Sequence, residues 1–131
     1  MIVVDTNIIA ALYLPSDLTA HAEALLQKEP QWVAPVLWRS EFRNVLALYL
    51  RKKMLAFDEA YRIQSEAESL LNQNEYEMAS FEVLQLAEAS GCSAYDCEFV
   101  ALAKRLNAPL FTQDKQILAA FSNVATPLIT V

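Results

Sequence analysis

The sequence predicts an α/β sandwich, a parallel sheet covered on both faces by helices, and three observations predict it. Short apolar runs suited to buried strands recur along the chain, helical patterns fill the intervals between them, and residues that follow the runs are acidic. A length of 131 residues closes one hydrophobic core without staples, so a single domain over residues 1–131 is expected. No repeat, low-complexity tract or Pro- or Ser-rich linker divides it.

The first run, Ile2 to Val4, leads through Asp5 into a helical pattern from Thr6 to Tyr13. A second helix is expected from Thr19 to Lys28 and a second strand from Trp32 to Ala34. Two long helices follow, Leu37 to Lys53 and Phe57 to Leu71, the latter with Asp58 and Glu59 at its start, where carboxylates complement the helix dipole. A weaker strand near Tyr76 to Met78 precedes a helix from Phe81 to Ser90, which Ser80 is placed to cap and Gly91 to end in a left-handed conformation. A helix from Tyr95 to Leu106, a strand from Leu110 to Thr112, a helix from Lys115 to Phe121 and a last strand from Leu128 to Val131 complete the pattern.

Composition removes several classes of function. The apolar content is 55%, yet no run reaches the roughly 18 to 20 apolar residues of a membrane span. The N-terminus shows no secretory signal, so a cytoplasmic chain is expected. Cys92 and Cys97 match neither a redox pair nor a zinc set and read as buried or incidental thiols; His21 is the only histidine and reads as a surface or structural residue. A net charge of −6 opposes sequence-independent nucleic-acid binding, unless cations held by clustered carboxylates cancel part of it.

In open parallel sheets ligands bind outside the carboxyl ends of the strands. Asp5 follows the first run directly, Asp114 comes two residues after Thr112, Asp96 opens a helix, and Glu41 lies one turn into the helix after the Trp32 run. Singly, Asp5 and Asp96 have an ordinary reading as helix caps, Asp114 as a turn residue and Glu41 as a solvated helix position. Together they make a different case, because carboxylates about 5 Å apart repel by roughly 3 kcal/mol per pair at an effective dielectric near 20. Such a cluster requires a cation, and an all-oxygen set suits Mg²⁺ or Mn²⁺. The implied chemistry is metal-assisted phosphodiester hydrolysis.

Asp5-Thr6-Asn7 after an N-terminal strand, Glu41 in a central helix, Ser93-Ala94-Tyr95-Asp96 leading into Val100-Ala101-Leu102-Ala103, and Thr112-Gln113-Asp114 together resemble PIN-domain proteins. More narrowly the chain is similar to VapC-type toxins of toxin–antitoxin pairs, from Ile2 to Val131. The resemblance implies a three-layer sandwich with a five-stranded parallel sheet, and one or two divalent ions held by Asp5, Glu41, Asp96 and Asp114. It further implies an endoribonuclease, a homodimer, and an antitoxin whose tail wraps the two long helices. Thr6, Asn7 and Thr112 support the site by analogy; the alternative is that Thr6 caps a helix and Thr112 satisfies a backbone group.

Glu98 lies about 200° around a helix from Asp96 and is left outside the metal shell. Asp17 reads as a turn residue. Arg39 and Arg43 share a helix face and reach either RNA phosphates or salt-bridge partners. The stripe of Trp38, Phe42, Val45, Leu46 and Tyr49 reads as core, with part of the apolar surface of these helices available to a partner. Two rivals stand beside the toxin: an RNA-processing nuclease without an antitoxin, and a non-catalytic metal-binding module of the same fold. A phosphotransferase using Asp5 as nucleophile is disfavoured, because Asn7 stands where a second aspartate would be needed.

Overall fold

The computed structural model of the chain describes residues 1–129. Their elements run β1 (Ile2–Val4), α1 (Thr6–Tyr13), α2 (Thr19–Lys28), β2 (Trp32–Pro35), α3 (Trp38–Arg51), α4 (Phe57–Leu70), β3 (Glu75–Tyr76), α5 (Ser80–Ser90), α6 (Ala94–Leu106), β4 (Leu110–Phe111), α7 (Lys115–Ala120) and β5 (Ala125–Thr126). The strands form one parallel sheet in the order β3-β2-β1-β4-β5.

β1 is the middle strand, with Ile2 opposite Trp32 and Val3 opposite Leu110. Every residue of β1 and β2 is buried, as continuous apolar runs require when both faces of a sheet are covered. The chain steps outward from β1 to β2 to β3, then returns to the other side of β1 for β4 and β5. With right-handed crossovers this puts α1 to α4 on one face and α5 to α7 on the other. Accordingly α1 packs on α2, α3 and α4, whereas α6 packs on α5 and across β1, β2 and β4. The switch of direction falls between β1 and β4, the place where an open sheet opens a crevice at its strand ends.

The stripe on α3 is largely core. Trp38, Phe42 and Leu46 are buried, Val45 and Tyr49 are half-buried, and the Phe42 ring lies 6.2 Å from Trp38 and 6.4 Å from Tyr13. Along α3, α4 and their connection, Leu48, Met54, Phe57 and Tyr61 remain outside, with the last two rings stacked at 6.3 Å. Among the described residues no helix is long and apolar enough to cross a membrane. His21 is exposed, and Cys92 and Cys97 are buried free thiols.

Several element ends differ from the sequence expectation by a residue or two, and three departures have a clear physical reason. The last strand is Ala125–Thr126, because β4 offers its free edge there: Leu110 and Thr112 donate to the Val124 and Thr126 carbonyls. Leu128 instead donates its N–H to the Gln113 side chain at 2.6 Å, and residues 130 and 131 of the expected strand lie outside the described residues. The weak strand is Glu75–Tyr76 and excludes Met78, since Ala34 of β2 and Val36 just after it donate to the Asn74 and Tyr76 carbonyls. Ser80 is the first residue of α5 and not its cap; Ala79 holds the capping position without a side-chain bond. Gly91 ends α5 at φ 75° as expected, and Glu59 accepts the Ala56 N–H at 3.0 Å at the start of α4.

Candidate active site

One residue separates β1 from α1, and that residue is Asp5. Its N–H is held by the Phe111 carbonyl of β4 at 2.9 Å, and its own carbonyl accepts the Ile8 N–H at 3.0 Å. With the backbone fixed by sheet and helix together, the carboxylate is directed into the crevice at the switch point. Its Oδ1 accepts the Thr6 N–H at 2.7 Å, and its Oδ2 accepts the Thr112 hydroxyl at 2.7 Å and the Asn7 side-chain amide at 3.4 Å. The capping reading of Asp5 is therefore correct, and one carboxylate serves both the helix and the site.

The neighbouring groups extend this arrangement. Thr112, fully buried at the end of β4, accepts the Asp114 N–H at 3.0 Å on the oxygen that donates to Asp5. The Asn7 side-chain oxygen Oδ1 accepts the Gln113 N–H at 3.1 Å. On the other side the buried Thr6 hydroxyl donates to Glu41 Oε1 at 2.7 Å. A hydrogen-bonded path thus runs Glu41–Thr6–Asp5–Thr112–Asp114 and ties α3, α1, the two central strands and the start of α7. Asp114 also caps α7, its Oδ1 accepting from Gln116 at 2.9 Å and Ile117 at 3.0 Å. Asp96 stands in the first turn of α6, where Ser93 is the cap and takes the Asp96 N–H at 3.0 Å.

Asp96 is joined to the others by charge. Burial raises the Asp5 pKa to about 6; the Thr112 and Thr6 hydrogen bonds oppose the rise, while Glu41 and Asp96 add to it. Burial also raises Glu41, against the Thr6 hydrogen bond and with help from Asp96. Asp96 is raised by burial and by Asp114, with Ser93 opposing. Each charge that acts on these three groups is another carboxylate, and no lysine or arginine of the described residues relieves them.

Among the described residues no three acidic, histidine or cysteine side chains already stand as a ready coordination set. The donor chemistry nevertheless fits a hard divalent ion. The donors are all oxygens, their mutual repulsion has no internal counter-charge, and Glu41 Oε2 and Asp114 Oδ2 take no hydrogen bond from the described residues.

Helical phase alone leaves Glu98 outside the metal shell, yet its pKa is raised, by burial first and then by the charge of Glu41. Nothing local signals this, because the relation depends on how α6 packs across the sheet. Asp17 is exposed in a turn held by the Ser16 hydroxyl, which accepts the Leu18 N–H at 3.1 Å. Arg39 is committed away from the crevice: its guanidinium donates to Glu75 at 2.6 and 2.7 Å and to Glu68 at 3.2 Å. Arg43 is the freer of the two, 58% exposed and 4.0 Å from Glu68.

The PIN domain family model matches residues 2–125. Ribonuclease VapC3 of Pyrobaculum aerophilum is 30% identical over 129 residues, covering 96% of this chain and 98% of that protein. The crystal structure of PAE2754 from Pyrobaculum aerophilum has a TM-score of 0.77 at 23% identity, over 96% of this chain and 82% of that one. A toxin–antitoxin complex from Klebsiella pneumoniae has a TM-score of 0.73 at 15% identity over the full length of both chains, and both structures speak to the fold. A family match over nearly the whole length, together with a relative of almost equal extent, makes this chain a member of the PIN-domain family.

Proposed function

We propose that the chain is a divalent-metal-dependent endoribonuclease that hydrolyses RNA phosphodiester bonds in the cytoplasm as the toxin of a toxin–antitoxin pair. One observation carries the reading: at the switch point of the sheet Asp5, Glu41 and Asp96 have raised carboxyl pKa values, the charges that act on them are one another's and that of Asp114, and no internal cation of the described residues relieves them. That is the environment of a site built for Mg²⁺ or Mn²⁺. The likeness to a ribonuclease over nearly the whole chain supports the choice of RNA, and a toxin–antitoxin complex among the fold relatives supports an antitoxin partner.

In this reading the four carboxylates hold the ion. When bound, a divalent ion lowers the pKa of an attacking water and offsets charge on the leaving oxygen. Thr112 and Thr6 orient Asp5 and Glu41 through their 2.7 Å hydrogen bonds, and Asn7 joins the Asp5 carboxylate to the backbone of the β4–α7 turn. Asp5 holds its proton up to about pH 6, so it is ionised and available to a cation at neutral pH. Arg43, 58% exposed, is the arginine of the pair that remains free to meet phosphate, on the face of α3 turned from Glu41. The antitoxin covers the apolar surface around Met54, Phe57 and Tyr61, and the toxin is a homodimer.

The test is incubation of purified chain with single-stranded and structured RNA in Mg²⁺ or Mn²⁺, with chelator and with Asp5→Asn and Asp96→Asn. Cleavage that needs the metal and is abolished by both substitutions supports the reading. Tight ion binding without cleavage of any RNA would replace it with a non-catalytic module.

A further inference from the structure

The first turn of α3 carries Glu41 but begins without a cap: Leu37 holds the capping position and makes no side-chain bond. A helix end without a side-chain cap frays more readily, and locally this turn is closed by backbone bonds alone: Arg39 N–H donates to the Val36 carbonyl at 3.1 Å, and Ser40 and Glu41 N–H to the Leu37 carbonyl at 3.0 and 3.2 Å. Its side chains tie it further to the rest of the fold. Trp38, fully buried, donates its indole N–H to Glu75 Oε2 at 2.8 Å, and Arg39 donates Nε to the same oxygen at 2.6 Å and Nη2 to Oε1 at 2.7 Å. Glu75 stands on the edge strand β3, opposite Ala34, and its side chain is only 14% exposed. From α4, Glu68 accepts Arg39 Nη1 at 3.2 Å, and Gln64 donates to Glu68 at 2.9 Å.

Arg39 and Glu41 are two residues apart and so project about 200° from each other around the helix. The turn is therefore gripped from two sides, by Glu75 through Trp38 and Arg39 and by Thr6 through Glu41.

We propose that Glu75 is a positioning residue for the active site: by clamping Trp38 and Arg39 it holds the uncapped first turn of α3 in the register that presents Glu41 to the crevice. The proposal rests on the nuclease reading for the use of Glu41, and on the clamp geometry for everything else. Glu75 touches no reacting atom and acts through Glu41. A fork of two charged hydrogen bonds plus an indole donor on one carboxylate fixes orientation as well as distance, which suits this task.

The test is a double-mutant cycle read by Mn²⁺ binding to the full chain, using Glu75→Ala, Glu41→Gln and the double variant. In the wild-type background Glu75→Ala is expected to weaken Mn²⁺ binding by about tenfold, the scale of lost support behind a ligand. In the Glu41→Gln background it is expected to change binding less than twofold, because its route to the metal is already cut. An equal loss in both backgrounds, or none in either, overturns the proposal.

Glu75→Gln keeps an acceptor for Trp38 and serves if the alanine variant does not fold. A second readout is amide hydrogen exchange of residues 39–42, expected to speed up in the Glu75 variants while β1 and α6 stay protected. Unchanged exchange counts against the clamp, whereas a wild-type chain that binds no Mn²⁺ and cuts no RNA counts against the nuclease reading.

Discussion

The Thr112 hydroxyl donates to Asp5 Oδ2 at 2.7 Å across 107 positions of sequence, and the same oxygen accepts the Asp114 N–H at 3.0 Å. One buried hydroxyl thus sets the separation between the carboxylate of β1 and the turn that carries the fourth acid. Thr112→Val keeps the shape of the side chain and removes both bonds. It leaves a backbone N–H unpaired and Asp5 with one donor fewer, so the expected cost is about 1–3 kcal/mol. Cleavage of RNA is expected to fall about tenfold or more. Urea unfolding and single-turnover cleavage check the two effects, and a variant as stable and active as the parent would remove Thr112 from the site.

Asp5 links stability to pH with a definite sign. Its pKa lies at about 6 in the folded chain against an ordinary 3.8, so between those values the folded chain keeps a proton that the unfolded chain has lost. Stability therefore falls as pH rises through this window, by up to about 3 kcal/mol from this group. Glu41 and Asp96, also raised, act in the same direction, while Glu75, held low by Arg39, opposes them. In chelator, Asp5→Asn is expected to flatten the fall and to be more stable than the parent at pH 7.5. Added Mn²⁺ is expected to raise the parent's Tm at that pH and leave Asp5→Asn nearly unmoved. Urea titrations from pH 4 to 8 and thermal melts supply the comparison; parent stability that climbs with pH as steeply as that of Asp5→Asn contradicts the assignment.

Arg39 and Arg43 lie one turn apart, yet they should behave differently. Arg39→Ala removes three hydrogen bonds and leaves the mostly buried Glu75 carboxylate with Trp38 alone, for an expected loss of about 2 kcal/mol. Arg43, 58% exposed and 4.0 Å from Glu68, should cost less than about 0.5 kcal/mol on the same change. Equal losses in equilibrium unfolding would show that the Glu75 clamp adds nothing to stability.

Gly91 ends α5 at φ 75°, and a Cβ placed there meets nothing within 4 Å. Gly91→Ala therefore pays only the conformational penalty of a left-handed residue, about 1 kcal/mol. A loss above about 3 kcal/mol by urea unfolding would point instead to a steric role that this geometry does not contain.

How far the sequence carried these conclusions depends on whether the relevant signal is local. Ile2 to Val4 reads as a buried strand because its residues are β-branched and contiguous, and Asp5 reads as a strand exit because it directly follows them. The order of strands and helices is legible for the same reason, and with it the α/β class. The last strand is not, since Ala125–Thr126 has no strong apolar pattern and is a strand only because β4 presents a free edge to it. Ser80 is not the cap its hydroxyl suggests, because the capping position is set by the extended backbone angles at Ala79 and not by which residue has a hydroxyl.

The relations that shape the site are long-range. Arg39 finds Glu75 36 positions away, Thr6 finds Glu41 35 away, and Glu98, on another helix, feels the charge of Glu41. Residue types and spacing determined which groups are present and which strand ends carry them, because propensity and periodicity act over a few residues. Only the tertiary structure decided which oxygens are occupied, which arginine is free and which helix turn is clamped, because hydrogen bonds and charge act through space between segments that the sequence keeps apart.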